Sequence, residues 1–393
     1  MNSTRRNVGL LAGCQAMLMS NNSSLIAING LAGLALAPLR GLATLPVTAY
    51  VVGAAASTML ASLHMKRVGR RRGLEFGTLW SIVGALICAT AVWQQAFWLL
   101  CTGSLVLGVY NAYGQYYRFA AADVATPDYR ATAISLVLAG GLAGGILGPN
   151  LTRATLDAVG PHFAGAYLTL IGFALVTLGL LRFLHIPTPT AVERTASHRP
   201  LAEIATQPAF LIAVVSAAIG YGVMNFMMTS TPIAMQVCGH PFGDAAFVIS
   251  SHVIAMFAPS FFTGTLIRRA GTLPVMFTGA LLNFAAIGVG LSGISVAHFW
   301  LALVFLGVGW NFLYIGGTTL LTTTYRPEER AKVQGANDQT IFIVMAISSF
   351  TSGMTVTAAG WERVNLAALP LVALVALSIV AYGLHRRLKA SAA

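Results

Sequence analysis

Apolar runs of about 20 residues recur along the whole chain, each long enough to cross a bilayer as a helix, and short polar gaps separate them. The pattern predicts an all-α polytopic membrane protein with twelve transmembrane helices. In the first half the predicted spans are 8–36, 42–64, 74–92, 96–121, 131–153 and 162–184. In the second half they are 208–236, 244–267, 273–293, 297–323, 333–357 and 363–384. Residues 1–185 are expected to form an N-terminal six-helix bundle and 208–393 a C-terminal one. Residues 186–207 join them as a cytoplasmic linker, marked by prolines and the mixed polar run from Glu193 to Arg199.

The polar gaps are basic. Lys66-Arg67 with Arg70 to Arg72, Arg268-Arg269, Arg326-Arg330-Lys332 and Arg386-Arg387-Lys389 all fall between or after spans. With the N-terminus inside, all of the 23 Lys and Arg residues except Arg40, Arg153 and Arg363 lie on the cytoplasmic side. That asymmetry predicts a polytopic membrane protein with both termini cytoplasmic.

Composition agrees. The chain is 56% hydrophobic and 9% charged, against roughly 25% charged in soluble domains. The net charge of +12 does not indicate nucleic acid, because no long soluble segment remains to bind it. Cys14, Cys88, Cys101 and Cys238 form no CxxC pair and support neither a disulfide framework nor a zinc site. Leu11-Ala12-Gly13-Cys14 after Arg5-Arg6 has the look of a lipoprotein cleavage box. The apolar stretch before it, Val8 to Leu11, is too short for a signal core, so a first transmembrane helix is expected.

The halves repeat at nearly one offset. Pro127-Asp128-Tyr129-Arg130-Ala131 returns as Pro327-Glu328-Glu329-Arg330-Ala331, and Leu107-Gly108-Val109 with Asn111 returns as Leu306-Gly307-Val308 with Asn311. Arg67-Val68-Gly69 returns as Arg269-Ala270-Gly271. Two parallel six-helix repeats are a transporter architecture. With these features the chain resembles the major facilitator superfamily. Lys66-Arg67-Val68-Gly69-Arg70-Arg71 is similar to that family's basic signature between spans two and three, with Lys66 where an aspartate is usual and Ser62 in place of the leading glycine. The repeat copy has Gly264 and Arg269, with Arg268 at the aspartate position. Gly140, Gly141, Gly144, Gly145, Gly148 and Pro149 in span five partly resemble the superfamily's antiporter signature, and their spacing predicts a close-packing face.

One polar constellation lies deep in the spans. Met224 and Met228 share a face of span seven, and His252 and Met256 share a face of span eight. Met228 and His252 each lie about 12 Å from their helix ends, at matched depth. His252 is the one histidine deep in a span, and a buried ionisable residue in a membrane is a functional candidate. Thioethers with imidazole form a soft ligand set suited to copper(I). Two simpler roles stay open: methionines that fill gaps, and a histidine that hydrogen-bonds a neighbouring helix. Met17, Met19 and Asn21 in span one are cavity candidates, and Arg118 and Asp338 are gating candidates near the ends of spans four and eleven.

MxxxM in span seven followed by HxxxM in span eight resembles the CcoA-type copper importers. The resemblance implies copper as transported substrate, no cofactor, Met224 and His252 as principal ligands, and Met228 and Met256 as supporting ones. It further implies alternating-access import across the bacterial cytoplasmic (inner) membrane that supplies cbb3-type cytochrome oxidase assembly, with a copper chaperone or assembly factor as partner. The expectation is a monomeric secondary transporter, not an enzyme, since no nucleophile–base set lies in the spans. The alternatives are a proton-coupled exporter of small organic compounds, with His252 as proton carrier, and a non-transporting copper-binding receptor.

Overall fold

The computed structural model describes residues 3–39, 42, 45–186 and 199–391. The first half supplies α1 (Ser3–Leu36), α2 (Leu45–Val68), α3 (Arg70–Trp93), α4 (Phe97–Gly114), α5 (Tyr117–Val124), α6 (Pro127–Thr155) and α7 (Ala164–Arg182). The second supplies a short α8 (Leu201–Ala205), then α9 (Pro208–Val237), α10 (Phe242–Phe257), α11 (Ser260–Ala270), α12 (Thr272–Ser292) and α13 (Val296–Leu321). A 3-10 turn (Pro327–Glu329) and α14 (Arg330–Ser391) complete it. Of the expected linker, residues 187–198 lie outside the described residues, as does Arg40.

These helices account for the twelve expected spans. Among the described residues, eight helices are by themselves long and apolar enough to cross a membrane, and α10 with α11, bent by 41°, makes a ninth. One of the eight, α14, runs for 62 residues and breaks at Gly360, where φ is 75°, so it holds spans eleven and twelve. The other two spans are α1 and α4–α5, whose apolar character is diluted by Asn21 to Ser24 and by Tyr110 and Asn111.

Contacts divide the chain into two compact units. The first comprises Met1–Thr126, Leu136–Ser197 and Gln334–Gln339, and the second Pro127–Ser135, His198–Val333 and Thr340–Ala393. Each unit thus includes a short helical stretch from the other sequence half, Pro127–Ser135 of α6 in one case and Gln334–Gln339 of α14 in the other.

In the first unit α4 packs on α2 and α3, and α7 packs on α1 and α3. Leu25, Ile28, Tyr50, Cys88, Leu107 and Tyr167 belong to its apolar core. Gly108 sets the approach of α4 to α2: a Cβ there would overlap the Tyr50 carbonyl oxygen and the Ala54 amide nitrogen. The span-five glycines do form a packing face, since a Cβ at Gly140, Gly144 or Gly148 would strike the backbone of α1 at Ala12, Ala16 or Ser20. Buried charges tie the basic ends together. Arg70 Nε donates to Asp123 Oδ2 at 2.9 Å and Arg70 also holds the Gln334 side chain. Arg118 pairs with Asp338 at 2.5 Å, each only 2% exposed, and Asn337 donates to the same carboxylate.

In the second unit α13 is the hub, with α9, α10 and α12 packed around it. Gly307 is the counterpart of Gly108: a Cβ there would lie 2.9 Å from the His252 carbonyl oxygen and 3.0 Å from the Met256 nitrogen. Arg199, just before α8, grips Glu329 in the turn after α13 with two hydrogen bonds of 2.8 and 2.6 Å. This guanidinium holds the Glu329 carboxyl down to about 2.

The Gly108 contact is directly testable. Gly108→Ala is expected to lower the melting temperature of the detergent-solubilised protein through overpacking of about 1–3 kcal/mol. Gly9→Ala, where nothing lies within 4 Å of the added methyl, should melt at or above wild type. Equal melting of Gly108→Ala and wild type would contradict the contact.

Candidate functional site

The second unit carries a polar seam inside its apolar packing. Pro259 follows the end of α10, and the chain bends before α11 begins. A bend in a membrane span frees backbone groups that need new partners. Asn311 on α13 supplies them: its Nδ2 donates to the Met256 carbonyl and to Ser260 Oγ, both at 2.6 Å, and its Oδ1 accepts from Thr263 at 2.7 Å. The repeated asparagine therefore holds the broken span in place.

His252 lies one turn before this bend and is fully buried. Its Nδ1 donates to the Leu303 carbonyl on α13 at 2.7 Å, which leaves Nε2 as a bare acceptor without a partner among the described residues. The hydrogen bond to a neighbouring helix is thus present. The helix that α10 leans on is chiefly α13, with a smaller contact to α9. Met224 and Met256 are buried, at 2% and 6% exposure, and Met228 is half-buried. Among the described residues no group of three or more His, Cys, Asp or Glu is arranged to hold a metal ion.

Beside this seam stands an aromatic cluster that the sequence reading missed. The Trp310 and Tyr314 rings, one turn apart on α13, stack at 5.0 Å with 17° between their planes. Tyr221 of α9 meets both edge-on, at 5.3 and 5.4 Å, and Phe257 of α10 meets Trp310 edge-on at 5.8 Å. Edge and offset geometries are those that aromatic quadrupoles favour. The Trp310 indole N–H is buried and has no partner among the described residues. Tyr221 is half-buried and heads a stripe of half-buried residues on α9, with Asn225, Met228 and Thr229 following at helical spacing. Residues between them, such as Val223, Phe226 and Met227, are buried. A signal was available in the Trp310–Tyr314 spacing, but the cluster takes its form from three different spans.

The first unit carries amides instead. Asn22 donates to Asn111 Oδ1 at 3.1 Å, Gln115 donates to the same oxygen at 3.1 Å, and the Tyr50 hydroxyl donates to Asn22 at 2.5 Å. Asn21 is buried and donates to Ser81 at 3.0 Å. Met17 packs at the edge of the apolar core and Met19 lies by Gly144, both half-buried. The structure brings Arg118 and Asp338 together as a buried pair. The four cysteines are free.

Comparison with known proteins gives this geometry its context. The Major Facilitator Superfamily model matches residues 9–349. The riboflavin transporter RfnT of Brucella anthropi is 41% identical over 384 residues, covering 96% of each chain. The MFS-type transporter YddS of Bacillus subtilis is 30% identical over 343 residues, covering 82% of this chain and 78% of its own. Among solved structures, the human organic anion transporter MFSD10 matches with a TM-score of 0.80 at 14% identity, over 96% of this chain and 100% of the other. The transporter FucP in its outward conformation matches with a TM-score of 0.76 at 16% identity, over 96% and 99%.

The riboflavin-transporter relative overturns one expectation. A copper importer serving cbb3-type oxidase assembly does not agree with 41% identity to a carrier of an organic solute over nearly the whole length. The methionine and histidine spacing that suggested copper is short, and spacing along one helix does not decide which neighbour a side chain meets. The expected organic-solute alternative stands closer to the relatives. Matched along most of its length by the family model and by these relatives, the chain belongs to the major facilitator superfamily and is a multi-pass secondary transporter, not an enzyme.

Proposed function

We propose that this protein carries riboflavin across the bacterial cytoplasmic membrane, with both termini and the basic helix ends in the cytoplasm. The observation that carries the proposal is the 41% identity over 96% of both chains with the riboflavin transporter of Brucella anthropi. The charge asymmetry of the loops supports the orientation. Two compact units from a duplicated chain are the architecture that alternating access uses.

The chemistry of the second unit suits such a solute. Riboflavin is a flat three-ring system with polar edges and a polyol tail. Flat rings bind best to aromatic side chains with a few convergent polar groups. Trp310, Tyr314 and Tyr221 supply the aromatic faces and edges, and the Trp310 N–H and Asn225 supply polar groups beside them. Tyr221, half-buried, is the ring of that group closest to the accessible stripe of α9.

Two experiments follow. A bacterial strain unable to make or import riboflavin should grow on low external riboflavin when it expresses this chain. Failure to grow, with the protein present in the membrane at normal level, would remove riboflavin uptake from the account. In the same strain Tyr221→Ala and Trp310→Phe should raise the KM for riboflavin about three- to tenfold, as expected for loss of one aromatic contact or one hydrogen bond. Unchanged KM in both would exclude the cluster from recognition.

A further inference from the structure

One cavity belongs wholly to the second unit and is used by nothing described so far. It has a volume of about 370 Å³ and lies at the start of α6, the basic end of α11 and the end of α13. Arg130 from the first turn of α6 and Arg268 from the last turn of α11 both line it, with Thr272, Thr319 and Thr322. Asp128 is the one carboxylate in the lining, so positive charge is in excess. The Thr319 and Thr322 hydroxyls donate within their own helix, at 2.8 and 2.7 Å. Hydrogen bonds to an incoming anion would therefore come from the guanidiniums, with the Thr272 hydroxyl beside them.

The walls are fixed. The Ser135 hydroxyl on α6 donates to the Ser260 carbonyl and accepts from the Gly264 amide, the latter at 3.0 Å. A Cβ at Gly264 would meet Ala131 and Thr132, so α11 lies directly against the start of α6. This clamp holds Arg130 and Arg268 on one cavity, although they are far apart in sequence. The same helix continues toward the membrane as an apolar face. Phe261 lies two turns before Arg268 on the same side of α11, about 10 Å away along the axis. Phe261 and Phe262 are 60% and 54% exposed. An exposed aromatic surface capped by arginines matches a molecule with a hydrocarbon tail and an anionic head.

We propose that this cavity binds the phosphate head of an anionic phospholipid of the cytoplasmic leaflet, with an acyl chain lying along Phe261. The inference uses the orientation proposed above and is independent of the transported solute. Arginine forks match phosphate oxygens geometrically, and basic pockets at this level of a membrane protein attract anionic headgroups.

The test is native mass spectrometry of the purified full-length protein with added phosphatidylglycerol. Arg268 is exposed at a helix end, so Arg268→Gln should fold, with detergent melting as the check. The expected result is a loss of bound lipid of about fivefold for Arg268→Gln and further loss for the double variant with Arg130→Gln. Arg268→Lys should retain part of the binding. Arg269→Gln, a neighbouring arginine outside the lining, should behave as wild type. Excess glycerol 3-phosphate should not displace the lipid. Equal retention in Arg268→Gln and Arg269→Gln would overturn the proposal, and displacement by glycerol 3-phosphate would assign the cavity to a soluble phosphate instead.

Discussion

Two glycines let helix backbones touch in the middle of each unit. At Gly108 α4 lies on the backbone of α2, and at Gly307 α13 lies on the backbone of α10. Close helix contact is a main source of cohesion where lipid removes the hydrophobic drive. Its consequence is positional. Four residues past Gly307, Asn311 reaches the bend between α10 and α11, and three residues past Gly108, Asn111 joins the amide network with Asn22 and Gln115. The duplicated glycine and asparagine thus place polar groups at the same level of each repeat. In one unit the asparagine repairs a broken helix, and in the other it anchors amides.

The buried charges follow a second rule. An isolated charge within a membrane protein is expensive, and removing one member of a buried pair commonly costs about 3–5 kcal/mol. Arg70 and Arg118 are both buried, and each has a carboxylate: Asp123 for Arg70 and Asp338 for Arg118. Gln334 accepts from Arg70, and Asn337 donates to Asp338. The basic signature between spans two and three therefore acts through Arg70. Lys66 stands at the position where the superfamily usually has its aspartate, and the acid that Arg70 meets is Asp123, at the end of span four.

Much of the architecture was legible in the sequence because it rests on long-range periodicity. Twenty-residue apolar runs, repeated turn motifs and a lopsided distribution of arginines survive any local detail, and the helices fall where they predict. The glycine face of span five was legible for the same reason, since its spacing alone defines a stripe. The site was less so. Met224, Met228, His252 and Met256 share helix faces as their spacing requires, yet spacing is silent on which helix comes alongside. His252 bonds to Leu303 of α13, fifty-one residues on. Tyr221, Phe257 and Trp310 come from three spans, so nothing local announces their meeting. Soft-ligand chemistry was a sound reading of those four residues in isolation, and it led to a copper importer, which the 41% identity to a riboflavin transporter contradicts.

The proposed solute is riboflavin and not a metal ion. Purified protein in sealed liposomes, supplied outside with both riboflavin and copper(I), would measure both at once. Riboflavin is expected to enter faster than in protein-free vesicles, with copper at the background level. Copper entry without riboflavin entry would contradict the account and return the methionine and histidine residues to the role their spacing first suggested.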